Sequence, residues 1–275
     1  MARTRVHITS VLALTLGTAL TLTGCGGDDT SPSSSASSSG AKPGGENEDV
    51  PVVVATTSWE GAFAKAAGAK DVKVIVPESV QHAPDYDPKP SDLAAVAGAD
   101  FVLYAPFEPY AAKFKEAAGS KAELVEVDLD NDADKAKAEV TRLGKMFGTE
   151  EAAAKWITSF DTEYAALQKD LKAAWPDGKA PTAVAQVFST WSAKMAGAEL
   201  VGTYGPDAVT AKQLSDLSRK KPQLVLDNVH MTTGKVLPDS GARQVEVVNY
   251  PARDLDLLAV YKNAATAVEK AMAAS

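Results

Sequence analysis

Residues 149–175 read TEEAAAKWITSFDTEYAALQKDLKAAW, and the spacing of their large apolar side chains decides how the rest of the chain is arranged. Trp156, Phe160, Tyr164, Leu167, Leu171 and Trp175 recur every three or four residues, which places them on one face of a helix. Such a stripe is a packing face before it is a cofactor site. Thr149, Glu150 and Glu151 supply a cap and an acidic first turn, and Pro176-Asp177-Gly178 stops the helix. A helix of about 27 residues spans roughly 40 Å at 1.5 Å per residue, enough to join two separate bodies. Between Asp132 and Trp175 there is no proline, and the only glycines are Gly144 and Gly148, so residues 132–177 are predicted to be linking helices.

Strand and helix signals alternate on both sides of this segment. Upstream, in residues 50–131, the β-branched run VPVVVATTS leads into WEGAFAKAAG, of helical composition and stopped by Gly68. The strand DVKVIVP, the helix SDLAAVAGA and the strand DFVLYA follow. Downstream, in residues 178–275, PTAVAQVF, PQLVLDNV and RQVEVVNY read as strands. TWSAKMAG, AKQLSDLSRK and LDLLAVYKNAATAVEKAMAA read as helices, and GTYGPDAVT as a loop. Alternation of this kind predicts parallel sheets. The expected fold class is therefore α/β, with an N-terminal lobe over 50–131 and a C-terminal lobe over 178–275, both α/β with parallel sheets, joined by one long rigid helix.

The N-terminus reads differently. Arg3 and Arg5 precede an apolar run from Ile8 to Leu22, too short for a comfortable membrane span, as expected of a secretory signal over residues 1–24. Leu22-Thr23-Gly24-Cys25 resembles the bacterial lipobox, in which the cysteine is diacylated and becomes the new N-terminus. Two acyl chains suffice to hold a protein on a membrane. Residues 25–49 are rich in Ser, Gly, Pro and acids, with no large apolar residue, and are expected to be a flexible tether. The expected location is the extracytoplasmic face of the cell membrane. Cys25 is the only cysteine, so neither an internal disulfide nor a thiolate metal site is expected. Loss of the two signal arginines takes the formal charge from −8 to −10, and no basic cluster suggests nucleic acid.

The blocks VVVATTSWEGAFAKAAG, VKVIVP, DYDPKPSDLAAVAGADFVLY and FEPY, in that order, resemble the solute-binding lipoproteins of zinc and manganese ABC transporters. The resemblance continues through TAKQLSDLSRKKPQLVLDN and DLDLLAVYKN, and covers most of residues 50–275. It implies a monomeric receptor that holds an ion between two lobes and delivers it to a permease and its ATPase. It also implies four side-chain ligands, histidines and acids, a set suited to Zn2+ or, alternatively, Mn2+. The chain departs from that set. The position of the first ligand histidine falls on Pro84, two residues before Tyr86, and His82 is the nearest histidine. The second falls in a region offering Asp130, Asn131 and Asp132, while the third and fourth correspond to the neutral amides Gln186 and Asn249.

Two histidines, His82 and His230, follow the signal, and both fall in expected interlobe loops. With one or two of Asp85, Asp130, Asp132 and Asp227 they form the candidate metal site, zinc ahead of manganese because imidazole supplies the nitrogen donors. The plainer alternatives are a loop histidine at 82, a partly buried one at 230, and a solvated turn acid at Asp85 beside Pro84. A second reading makes the cleft a site for a metal chelate or small organic solute. Its walls would be Trp59, Tyr86, Tyr104, Phe107, Trp191 and Tyr204, with Glu108 and Gln186 orienting the solute. A surface adhesion lipoprotein is the third. No nucleophile elbow, phosphate-binding glycine loop or zinc-protease helix is present, so no enzymatic activity is expected.

Overall fold

The computed structural model describes residues 51–80, 83–232 and 234–273. The expected signal, lipidated Cys25, most of the tether and His82 lie outside the described residues, which all fall within one compact unit.

The first sheet contains β1 (Val52–Ala55), β2 (Asp71–Val74), β3 (Phe101–Tyr104) and β4 (Glu123–Glu126), ordered β2-β1-β3-β4 and parallel throughout. Helices α1 (Ser58–Ala66), α2 (Pro90–Ala97) and α3 (Ala111–Ala118) connect the strands. Two helices follow, α4 (Ala133–Phe147) and α5 (Glu150–Ala173). The second sheet repeats the plan with β5 (Thr182–Gln186), β6 (Glu199–Tyr204), β7 (Leu224–Asn228) and β8 (Arg243–Val247), ordered β6-β5-β7-β8 and again parallel. Its connections include α6 (Thr190–Ala196) and α7 (Ala211–Ser218), and α8 (Leu257–Ala273) closes the described chain.

Central strands are buried on both faces, which explains their nearly unbroken apolar sequences. Successive side chains point to opposite faces. Val53, Ala55 and Leu103 accordingly join the main core, while Val54 and Val102 join a smaller core on the other face of the first sheet. In the second sheet Ala183, Ala185, Leu224 and Leu226 enter the same main core, and Val184 and Val225 a third one. One apolar core thus runs through both lobes. Tyr261 of α8 is its aromatic hub, with ring centroids 4.9 Å from Phe160, 5.8 Å from Tyr164 and 5.2 Å from Trp191.

The helical segment contains two helices, and its two glycines explain the break. A Cβ at Gly144 would lie 2.6 Å from that of Ala153, so only glycine lets α4 and α5 approach so closely, and Gly148 ends α4 at a left-handed φ of 69°. α5 has 24 residues, about 36 Å, and buries Phe160 and Leu171 of the expected stripe. Helix α3 and strand β4, both left unassigned by the sequence reading, and strand β6, whose Gly202–Tyr204 it included in a loop, are the elements that differ most; the two strands share a cause. Each is the neighbour of only one other strand or lies mostly exposed, and its alternation is too weak to register without the partner strand.

Candidate functional site

In open α/β sheets, ligands bind beyond the carboxyl ends of the strands, where the strand order reverses direction. Here a cavity of about 480 Å³ lies beyond the carboxyl ends of β1, β2, β7 and β8, between the lobes. Thr57 and Ser58 follow β1, Val76 and Val80 follow β2, Val229 and His230 follow β7, and Val248 and Tyr250 follow β8; Asn263 of α8 is also among the lining residues.

His230 is placed by a short 3-10 turn, Val229–Met231, whose start is capped when the His230 backbone N–H donates to Asn228 Oδ1 at 3.1 Å. Its half-buried ring meets the Tyr250 ring edge-on at 4.6 Å, and Tyr250 meets Trp59 the same way at 5.1 Å. Burial, and then the charges of Glu60 and Glu108, push the Tyr250 hydroxyl well above its ordinary range. Tyr250 is therefore a neutral wall.

Behind it stands a pair of buried acids. Thr57-Ser58-Trp59-Glu60 forms a capping box: the Thr57 hydroxyl accepts from the Trp59 N–H at 3.2 Å, and Glu60 Oε2 accepts from the Thr57 N–H at 3.0 Å. Glu108 accepts from the Ala105 N–H at 3.1 Å and the Tyr110 hydroxyl at 3.0 Å. Burial, and then the Glu60 charge, raise the Glu108 carboxyl to about 8, and burial raises Glu60 as well. At neutral pH the pair retains a proton, since two desolvated carboxylates in mutual range cannot both ionise cheaply.

The amides form a chain across the interface. The Trp59 indole N–H donates to Asn131 Oδ1 at 3.0 Å, and Asn131 Nδ2 donates to the Asn249 carbonyl at 3.1 Å. On the other side the Trp191 indole donates to Asn249 Oδ1 at 2.9 Å, and Asn249 Nδ2 donates to the Phe188 carbonyl at 3.1 Å. Gln186, also buried, turns its oxygen to the Phe188 N–H at 2.7 Å. All three amide side chains are thus engaged within the protein.

The remaining candidates take several positions. Asp227 is buried and accepts from the Tyr204 hydroxyl at 2.7 Å, the Thr232 hydroxyl at 2.6 Å and Gln244 Nε2 at 3.2 Å. Asp130 accepts from the Asp132 N–H at 2.8 Å and pairs with Lys135 at 2.7 Å. Asp132 caps α4 and pairs with Lys194 of α6 at 2.7 Å. Partial burial opposes ionisation of Asp132, but Lys194 and the α4 amides outweigh it and hold the carboxyl below its ordinary range. Asp85 is exposed at the end of the turn Ala83–Asp85. Tyr86 packs against the outer core of the first lobe and donates to Asp92 at 2.7 Å. Burial, with the Asp92 hydrogen bond, moves the Tyr86 hydroxyl up to about 12.

The structure therefore brings together His230, Tyr250, Trp59 and the buried acids, and joins Asn131 to Asn249. Among the described residues no group of three or more His, Cys, Asp or Glu side chains is arranged to hold a metal ion. Sequence reasoning singled out neither Glu60 nor Tyr250. The capping-box pattern T-x-x-E at Thr57–Glu60 was the available signal for the first, whereas Tyr250 carries none.

Two lobes of one topology, with a cavity at their strand ends, make a two-lobed α/β fold. Residues 53–152, the first lobe with α4 and the start of α5, match the family model described as zinc-uptake complex component A, periplasmic. No curated protein sequence matches the chain. Among solved structures, FpvC of Pseudomonas aeruginosa in complex with Mn2+ is 14% identical, with a TM-score of 0.60 over 81% of this chain and 97% of that one. The AdcAII protein of Streptococcus pneumoniae is 18% identical, with a TM-score of 0.58 over 80% and 98%. The laminin-binding protein Lmb of Streptococcus agalactiae, described as bifunctional with adhesin and metal transporting activity, is 17% identical, with a TM-score of 0.58 over 79% and 99%. The resemblance read from the sequence is thus matched by the family model over the first lobe, and the solved structures share the fold across both lobes.

Proposed function

We propose that this protein is the extracytoplasmic receptor of an ABC importer, capturing a transition metal ion between its lobes, zinc ahead of manganese. The carrying observation is His230 on the wall of the interlobe cavity, faced from the first lobe by Val80 and Ala83, the described residues on either side of positions 81–82. His82 and His230 are the proposed nitrogen donors, with oxygen from Asp85, Asp130, Asp132 or Asp227. Neutral imidazole suits zinc, and affinity should fall below about pH 6.5 as such ligands protonate. Lipidated Cys25 and the tether over residues 25–49 would keep a monomeric body near the permease and ATPase that receive the ion. The boundaries at 50–131, 132–177 and 178–275 are proposed as N-terminal lobe, linking helices and C-terminal lobe. The three structural neighbours support the reading, since metal binding or transport is the stated property of two of them and all share the fold. Among the described residues no helix is long and apolar enough to cross a membrane.

Calorimetric titration of the purified protein in detergent with zinc and with manganese tests the reading. Zinc binding at micromolar affinity or tighter, weakened in both His82→Ala and His230→Ala, is expected. Absence of binding by either metal would reject it.

A further inference from the structure

Between β8 and α8 the chain leaves its own lobe. Asn249, whose side chain is engaged with Trp191 and Phe188, and Leu257, buried in the main core, fix the two ends of residues 250–256. The segment between them lies on α1 of the first lobe. Tyr250 meets Trp59 edge-on at 5.1 Å, the Lys65 ammonium donates to the Asp254 carbonyl, and Arg253 pairs with Glu78 at 3.1 Å. Leu255 packs over Gly61: a Cβ on that glycine would lie 3.3 Å from both Leu255 methyl carbons, so the bare helix surface is what admits the leucine. Tyr250, Pro251, Ala252 and Asp254 of the same segment line the cavity.

The hold of this segment on the first lobe is slight. The Arg253 and Glu78 side chains are 85% and 52% exposed, and an ion pair so open to water contributes little, and less as salt rises. Leu255 stands at φ 55°, a left-handed conformation that a bulky residue adopts only where its surroundings impose it. Lifting the segment from α1 would break the ion pair and the Lys65 bond, release Leu255 from that backbone, and carry away the part of the cavity wall that the segment forms. Local opening is drawn from segments of this kind, with exposed polar anchors and few buried contacts. We propose that residues 250–256 are a strap that opens and closes the interlobe cavity by lifting from α1 and settling on it again, and so regulates the passage of cargo. The proposal rests on the receptor reading above only in taking this cavity as the cargo's site.

Cys25 is the only cysteine, so a Cys25→Ser chain accepts labels at chosen positions. Nitroxides at Ala252→Cys in the strap and Lys113→Cys on α3, both exposed positions, give the distance of the strap from the first lobe by double electron–electron resonance, with no cargo added. A longer distance, roughly threefold or more as populated in Glu78→Gln and in Lys65→Met as in the parent, is expected, and Lys65→Arg should stay close to the parent. Reaction of Ser58→Cys, on the cavity wall, with a bulky maleimide should quicken in the same variants. A single distance unchanged in every variant, or a longer one indifferent to Glu78 and Lys65, overturns the strap, as does an opening that leaves Ser58→Cys labelling unchanged. Each of these failures leaves the receptor reading standing. Absence of zinc binding in the titration above would instead reject that reading and leave the measured motion of the strap as it is.

Discussion

In the first lobe, the helix after β1 sends the Trp59 indole to Asn131 beyond β4; in the second, the helix after β5 sends the Trp191 indole to Asn249 beyond β8. The two pairs occupy equivalent places in sheets of one strand order, although their members are 72 and 58 residues apart. The lobes part company at the end of the third strand. Beyond β3 stands Glu108, buried with Glu60 and held protonated; beyond β7 stands His230, on the cavity wall. What repeats is bracing and what differs is chemistry. The tryptophan–asparagine pairs close each lobe and meet through Asn131 and the Asn249 carbonyl, and of the two residues beyond the third strands only His230 lines the cavity.

The largest effect should come from breaking the asymmetry. His230→Ala should lower zinc affinity about 100-fold or more, since even outer-shell changes at metal sites cost 10- to 100-fold. Competition titration against a coloured chelator would measure it, and a loss under threefold would remove His230 from the site.

The repeated pairs come next. Asn131→Ala strands the Trp59 indole, and Asn249→Ala strands that of Trp191; each buried unpaired donor costs about 1–3 kcal/mol. At about 2–4 °C per kcal/mol, each variant should melt several degrees lower by calorimetry. Because Asn131 donates directly to the Asn249 carbonyl, the two losses should be coupled in the double variant by about 0.5 kcal/mol or more. Additivity would show that each pair braces its own lobe independently.

The buried acids predict a pH dependence confined to the first lobe. Below about pH 4.5 Glu108 is protonated whether the chain is folded or not; between there and about 8 the folded protein keeps a proton that the unfolded chain releases. Stability should therefore fall as pH rises through that window, because the folded state binds more protons. Glu108→Gln, which keeps the shape without the charge, should flatten this slope and stabilise the protein at pH 8 by about 1 kcal/mol or more in denaturant melts. An unchanged slope would contradict the retained proton.

The smallest effect is expected at the surface link between α6 and α4. Lys194 pairs with Asp132 at 2.7 Å and Asp134 at 3.1 Å, but its side chain is 54% exposed. Lys194→Met should cost no more than about 1 kcal/mol, and less in high salt, as thermal melts at two ionic strengths would show.

The alternation of β-branched runs with helical segments and the stripe from Trp156 to Trp175 made the two-lobed fold legible, because both patterns follow from burial of a periodic face. β4 and β6 were less legible: ELVE buries only Val125 fully, and ELVGTY is mostly exposed, so their strand character rests on β3 and β5 beside them. At the site, the substitution of amides at Gln186 and Asn249 was visible in the sequence, but their engagement was not. Trp191 lies 58 residues from Asn249, and no local pattern encodes a hydrogen bond across that distance.

Composition, periodicity and ordered motifs by themselves determined the fold class, the order of the elements and the resemblance to metal receptors, because these depend on which residues face water and on local spacing. Only the tertiary structure decided that Asn131 and Asn249 brace the lobes, that Asp227 is taken up by Tyr204, Thr232 and Gln244, and that burial beside Glu60 raises the Glu108 carboxyl. The physical reason is that hydrogen-bond satisfaction and desolvation are properties of groups brought together from distant parts of the chain, and a residue's type states what it can do without stating which neighbour already occupies it.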